Sequence, residues 1–199
     1  MTDTTVRWVD LRPRDDAPAV EAAIRRVIQA GRFVLGPEGE AFETEFAEAT
    51  NGGRTVGVAS GTDALMLTLR ALGIGTGDEV ITTALSAVYS AQAIVMAGAR
   101  PVFADIDPDR LTLDPAAVEA LVGPRTAAII PVHLYGQPAD LPALATVADR
   151  HGLAIVEDAA QGVHAEYTGR ALGSIGHLGT YSFHETKNYI CGEGGALAI

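Results

Sequence analysis

The sequence predicts an α/β protein of three layers, α/β/α, with helices on both faces of a mainly parallel seven-stranded sheet. Three observations predict it. From Arg54 onward, short apolar runs alternate with amphipathic stretches at helical spacing, the pattern of strands joined by helical crossovers. With 199 residues, 48% of them hydrophobic, the chain can fill the core of one such domain, and two would be cramped. No repeat or low-complexity tract interrupts the alternation.

The elements follow in order. Pro18 to Ala30 carries Val20, Ile24, Val27 and Ile28 at helical spacing, and Gly31 stops it. R-F-V-L-G-P is a loop with a Gly-Pro break, and a second helix over Glu38 to Thr50 sets Phe42 and Phe46 one turn apart before N-G-G ends it. Residues 1–53 are thus expected to form a helical segment packing on a larger domain of residues 54–199. There, Val56 to Ser60 reads as a strand and Asp63 to Leu72 as a helix with Leu65, Leu69 and Leu72 on one face. Glu79 to Thr82 is a strand, Ser90 to Ala97 a helix and Pro101 to Ala104 a strand. Asp114-Pro115 opens a helix as cap and first-turn proline. Ala127 to Val132 is a strand, Leu141 to His151 a helix closed by Gly152, and Leu153 to Glu157, Gly179 to Phe183 and Ala196 to Ile199 complete the strands.

Composition excludes several classes of function. Acidic residues outnumber basic ones 25 to 14, for a net charge of −11 without a Lys/Arg cluster, which disfavours nucleic acid and anionic membranes as partners. The single cysteine, Cys191, cannot make an internal disulfide or a cysteine-built metal site and fits a reducing cytosol. The N-terminus lacks a basic region followed by an apolar run, and no stretch of about 18 apolar residues occurs, so a cytoplasmic location is expected. The five histidines lack the i, i+4 pairing of a zinc helix, and no G-x-S-x-G elbow is present. G-I-G-T-G-D at Gly73 to Asp78 precedes a strand, whereas a dinucleotide loop follows one.

Three short motifs can carry chemistry. S-G-T-D, Ser60 to Asp63, lies between the first strand of the sheet and its helix, where open parallel sheets bind ligands and where free N–H groups attract phosphate. Gly61 permits close backbone approach and Thr62 adds a hydroxyl; alone, the motif reads more readily as an ordinary turn and helix cap. E-D-A-A-Q, Glu157 to Gln161, ends an interior strand, and burying Asp158 there requires a compensating partner such as a cationic ring nitrogen. Gln161 could bond a substituent further round that ring, and a surface acid or helix cap is the plainer reading. Lys187 follows Asp158 by 29 residues, in the loop after the next strand. An amine that forms a Schiff base must be partly deprotonated, which burial or nearby positive charge achieves. Ser182, at the end of that strand, could donate to phosphate.

A phosphate cup, an acid for a ring nitrogen and an amine, in that order, describe a pyridoxal phosphate site. The sequence closely resembles the DegT/StrS sugar aminotransferase family of fold type I enzymes. The resemblance runs from V-D-L near Val9 through G-R-F-V-L-G-P-E, S-G-T-D-A-L, G-D-E-V-I-T, G-A-R-P-V-F-A-D-I-D, I-I-P-V-H-L-Y-G-Q-P-A-D, E-D-A-A-Q, S-F-H-E-T-K-N and G-E-G-G. It implies that Gly61, Thr62 and Ser182 bind the phosphate of pyridoxal 5'-phosphate, Asp158 pairs with the pyridine nitrogen, Gln161 faces the phenolic oxygen and Lys187 forms the Schiff base. It further implies transfer of an amino group from an amino acid donor, usually glutamate, to a keto group of a nucleotide-linked sugar, by a homodimer. H-E-T-K-N looks most like the branch acting on 4-keto-6-deoxy sugars. Ala87 stands where many relatives have an aromatic residue against the ring, with Leu85 and Tyr89 as substitutes, and His164 stands where many have glycine. Relatives of this family run to nearly twice the length. The chain ends just after an apolar strand, so a small domain is expected to be missing from it. The alternatives are an inactive remnant, or an interaction subunit of a full-length paralogue. A nucleotide-dependent oxidoreductase would need G-x-G-x-x-G where S-G-T-D stands.

Overall fold

The computed structural model describes residues 15–50 and 53–199. V-D-L near Val9, and Asn51 and Gly52 of the N-G-G stop, lie outside the described residues. The chain divides into two compact units, one reaching to Phe42 and one spanning Glu43–Ile199.

In the first unit, helix α1 spans Ala17–Ala30, with proline in its first turn and the Gly31 N–H closing on the Val27 carbonyl. Its apolar stripe of Val20, Ile24 and Ile28 is exposed. Arg26 reaches Glu38 through two hydrogen bonds of 2.6 and 2.9 Å, a surface pair that adds little to stability. Helix α2, Pro37–Ala49, begins in this unit and ends in the second. Within the second unit its Phe46 meets the rings of Tyr181 and Phe183 edge-on, with centroids 4.9 and 5.3 Å away.

The second unit is a sheet with helices on both faces. Its strands are β1 (Thr55–Val58), β2 (Glu79–Thr83), β3 (Arg100–Ala104), β4 (Thr126–Ile129), β5 (Ala154–Asp158), β8 (Leu178–Ser182) and β9 (Gly195–Ala198). They lie in the order β1-β9-β8-β5-β4-β2-β3. The five strands from β8 to β3 pair in parallel, and β9 runs antiparallel to both of its neighbours. The physical reason lies in the connection: no helix bridges Ser182 and Gly195, and without a crossover the chain doubles back beside β8. A separate hairpin of β6 (Glu166–Tyr167) and β7 (Arg170–Ala171) brings the strands among the described residues to nine, two more than expected. Its turn residues Thr168 and Gly169 both have positive φ, 53° and 77°, the requirement of a two-residue turn matched to strand twist.

Side-chain alternation creates the three layers. Val80, Ala128, Ile130 and Val156 face Leu65 and Leu69 of α3 (Gly61–Ala71) and Ala93, Ile94 and Ala97 of α4 (Tyr89–Ala97). Their sequence neighbours Ile81, Ile129 and Ile155 face Val118 of α5 (Pro115–Leu121) and Leu144, Val147 and Ala148 of α6 (Leu141–His151). A period of two sends adjacent residues to opposite faces, and each large aliphatic group so buried contributes about 1.5–3 kcal/mol. Ser60, Asp114 and Asp140 cap α3, α5 and α6 by accepting backbone N–H bonds, which fixes where each helix starts.

Candidate active site at the carboxyl edge of the sheet

The alternation along β5 continues past its apolar residues, so its two acids leave the strand on opposite faces. Asp158 lies on the α3/α4 side and is only 5% exposed. Its main chain is tied to the extension of β4, donating to the Pro131 carbonyl at 2.9 Å and accepting from the His133 N–H at 3.0 Å. One carboxylate oxygen accepts from the Ser90 hydroxyl at 2.7 Å and the other from the Ala160 N–H at 3.1 Å. Sequence reasoning missed Ser90. The available signal was its spacing: Ser90, Ala93, Ile94 and Ala97 form the buried stripe of α4. A hydroxyl on a buried stripe requires a partner.

Glu157 faces the other way and is fully buried. His133 donates to it through Nε2 at 2.8 Å, and the N–H groups of Gly173, Ile175 and Gly176 donate at 2.8, 2.6 and 2.5 Å. Since the Ala139 N–H donates to His133 Nδ1 at 3.2 Å, the imidazole proton resides on Nε2. Burial pushes the Glu157 carboxyl up, but the His133 hydrogen bond and the Gly176 and Gly173 amides outweigh it, holding the group below its ordinary value. Burial, then the Glu157 charge, pushes the Tyr181 phenol well above its ordinary range, and its hydroxyl donates to the Leu172 carbonyl at 2.8 Å. This network is a strut beneath the site.

The S-G-T-D turn meets the end of β8. Ser60 accepts from the Asp63 N–H at 3.1 Å, and its carbonyl takes the Ala64 N–H at 3.0 Å. The amides of Gly61 and Thr62 are the remaining donors of the first turn of α3. A Cβ built on Gly61 would stand 2.7 Å from Ser182 Cβ, so only glycine permits this approach. Ser182 is buried at the tip of β8, two residues beyond Thr180, which registers with Asp158.

The loop after β8 carries Lys187. Its N–H donates to the His184 carbonyl at 2.9 Å, and the side chain is half-buried. Among the described residues its ammonium makes no ion pair. The loop is moored to the segment that follows Asp158: Asn188 donates to the Val163 carbonyl at 3.0 Å, and the Tyr189 ring meets His164 at 4.8 Å. His164 has φ 64°, a left-handed conformation that explains why glycine suits the position. Gln161, in the same segment, accepts from the Tyr135 N–H at 2.7 Å through its carbonyl oxygen, which leaves its NH₂ end to donate elsewhere. Leu85 and Tyr89, flanking Ala87, are 42% and 55% exposed. The structure thus joins Gly61 to Ser182 and moors the Lys187 loop to Val163 and His164 of the segment that follows Asp158.

The G-I-G-T-G-D turn lies at the opposite, amino edge of the sheet, where its Asp78 accepts from the Gly75 N–H at 2.9 Å. A groove of about 480 Å³ lined by Gly77, Glu79, Arg100 and Arg125 opens there. Bonds from Arg100 and then Arg125 hold the Glu79 carboxyl below its ordinary value.

A helix-start turn, a buried acid and a moored lysine thus stand at the carboxyl edge of a parallel sheet, the edge at which open α/β sheets bind ligands. The chain belongs to the DegT/DnrJ/EryC1/StrS aminotransferase family, whose model matches residues 15–199. It is 49% identical over 196 residues to the dTDP-3-amino-3,4,6-trideoxy-alpha-D-glucose transaminase of Streptomyces venezuelae, covering 98% of this chain and 50% of that one. It is 44% identical over 201 residues to a UDP-N-acetyl-3-dehydro-alpha-D-glucosamine 3-aminotransferase of Acidithiobacillus ferrooxidans, covering 98% and 54%. Among solved structures, S. venezuelae DesV superimposes with a TM-score of 0.94 at 49% identity, over 96% of this chain and 53% of that one. Bacillus subtilis NtdA with bound cofactor PMP superimposes at 0.90 and 33% identity, over 98% and 45%. The chain spans about half the length of the curated relatives it matches.

Proposed function

We propose that the whole protein is a pyridoxal-phosphate-dependent aminotransferase that moves an amino group from an amino acid, glutamate in the first instance, to a keto group of a nucleotide-linked deoxysugar. It works as a cytoplasmic homodimer in which this chain is the cofactor-binding large domain. The observation that carries the proposal is the buried Asp158 carboxylate at the same sheet edge as the Gly61–Ser182 cradle. These residues fit the cofactor: a dianion suits the first amides of α3, and a cationic ring suits a buried acid.

Each residue has a distinct task. The Gly61 and Thr62 amides, with the Thr62 and Ser182 hydroxyls, hold the phosphate group. Asp158 holds the ring-nitrogen proton in place. Gln161, its carbonyl engaged by Tyr135, donates from Nε2 to the phenolic oxygen. Lys187 Nζ would hold the cofactor's aldehyde carbon and would move the proton at the reacting carbon of the amino acid. When bound, pyridoxal phosphate supplies the electron sink that accepts carbanion charge.

Titration of the purified protein with pyridoxal phosphate tests this reading. A violet-to-visible absorbance band should grow in the wild type and be absent from Lys187→Ala. Glutamate should bleach the band, and 3-keto and 4-keto nucleotide sugars should separately restore it, which assigns the ketone position. A wild-type protein that takes up no pyridoxal phosphate would sink the proposal.

A further inference from the structure

We infer that Ser90 is the positioning residue for Asp158, an inference that rests on the cofactor reading above. Three observations converge on it. Ser90 and Asp158 are 2% and 5% exposed, and their 2.7 Å bond joins elements separated by 68 residues in sequence. An ionised carboxylate only accepts, so the hydroxyl must donate to it. Ser90 itself cannot wander, because it shares its stripe with Ala93, Ile94 and Ala97, which pack into the core.

The second donor comes from a different direction. The Ala160 N–H takes the other carboxylate oxygen at 3.1 Å, from the turn that follows β5. Rotation of the carboxylate about its terminal bond would break both bonds at once. Two donors on two elements therefore hold the group in one orientation and occupy one lone pair on each oxygen. The remaining lone pairs are left for a ring N–H. Ala160 contributes only backbone, so Ser90 is the side chain through which α4 sets the orientation of the acid. It touches Asp158 and acts on the ring through it.

The test uses the full chain loaded with pyridoxal phosphate labelled with ¹⁵N in the ring, and compares Ser90→Ala, Ser90→Thr and Asp158→Ala with the wild type. Ring-nitrogen NMR reports the proton held by Asp158, and equilibrium titration reports cofactor affinity. In Ser90→Ala the ¹⁵N resonance should move toward that of a neutral pyridine, with affinity falling roughly tenfold. Ser90→Thr, which keeps the hydroxyl, should restore both. A Ser90→Ala protein with wild-type resonance and affinity, beside an Asp158→Ala protein that loses both, would overturn the role of Ser90 and leave the cofactor reading intact. A wild type without uptake overturns both. Should Ser90→Ala fail to fold, Ser90→Cys, a poorer donor of similar size, carries the same comparison.

Discussion

Glu157 and Asp158 show how one peptide step separates structure from chemistry. Both are buried carboxylates, yet Glu157 accepts four bonds that close it off, whereas Asp158 accepts two, from the Ser90 hydroxyl and the Ala160 N–H. Replacing Glu157 by glutamine keeps its shape but turns an NH₂ group toward backbone N–H donors. Glu157→Gln should therefore lose about 3 kcal/mol of stability in urea unfolding, from buried donors left without acceptors. Neither role could be assigned from E-D-A-A-Q alone. The partners of Glu157 lie 16 to 24 residues away. Ser90 reads in sequence as one more small residue in an alanine-rich helix.

At the level of elements, the meeting of α3 with β8 is the sensitive joint. Gly61→Ala places a methyl 2.7 Å from Ser182 Cβ and must push the helix start away from the strand tip. We expect this substitution to weaken pyridoxal phosphate binding at least tenfold, measured by equilibrium titration, while leaving the far-UV circular dichroism unchanged. The strands themselves were legible because each is a short apolar run between capping or turn residues. Their edges shifted by one to three residues, as with β4, which ends at Ile129 while the apolar run continues to Val132. The β6/β7 hairpin was not legible, since E-Y and R-A carry no apolar run and only the Thr168-Gly169 turn betrays them. The antiparallel course of β9 is legible only in its connection, a glycine-rich hairpin leading into Ala196 to Ile199, because a pattern of apolar residues carries no direction.

Across the whole molecule, the displaced carboxylates share one sign. Glu38, Glu79, Asp107, Glu119 and Glu157 are all held below their ordinary values by hydrogen bonds or positive neighbours that outweigh desolvation. A depressed carboxylate adds stability that is fully present above the unfolded value, near 4.5 for glutamate, and lost as pH falls through the folded value. Melting temperature should therefore hold steady with respect to these groups above about pH 5 and decline below about pH 4.5. Glu157→Gln should show a shallower decline, since Glu157 is the fully buried member of the set; an identical slope in the two proteins would remove Glu157 from this account.

The place of β9 between β1 and β8 has a further consequence, in time. Thr55 registers with Ala198, and among the described residues no other strand of the sheet pairs with β1. As the chain emerges from the ribosome, β1 is made early and its hydrogen-bonding edge then waits while the strands between β1 and β9 are made. The long loop between the two must also close at an entropic cost before the pairing rewards it. The segment from β1 to the start of α3, which carries the S-G-T-D turn, therefore gains its strand partner only once β9 has been made, long after the turn itself.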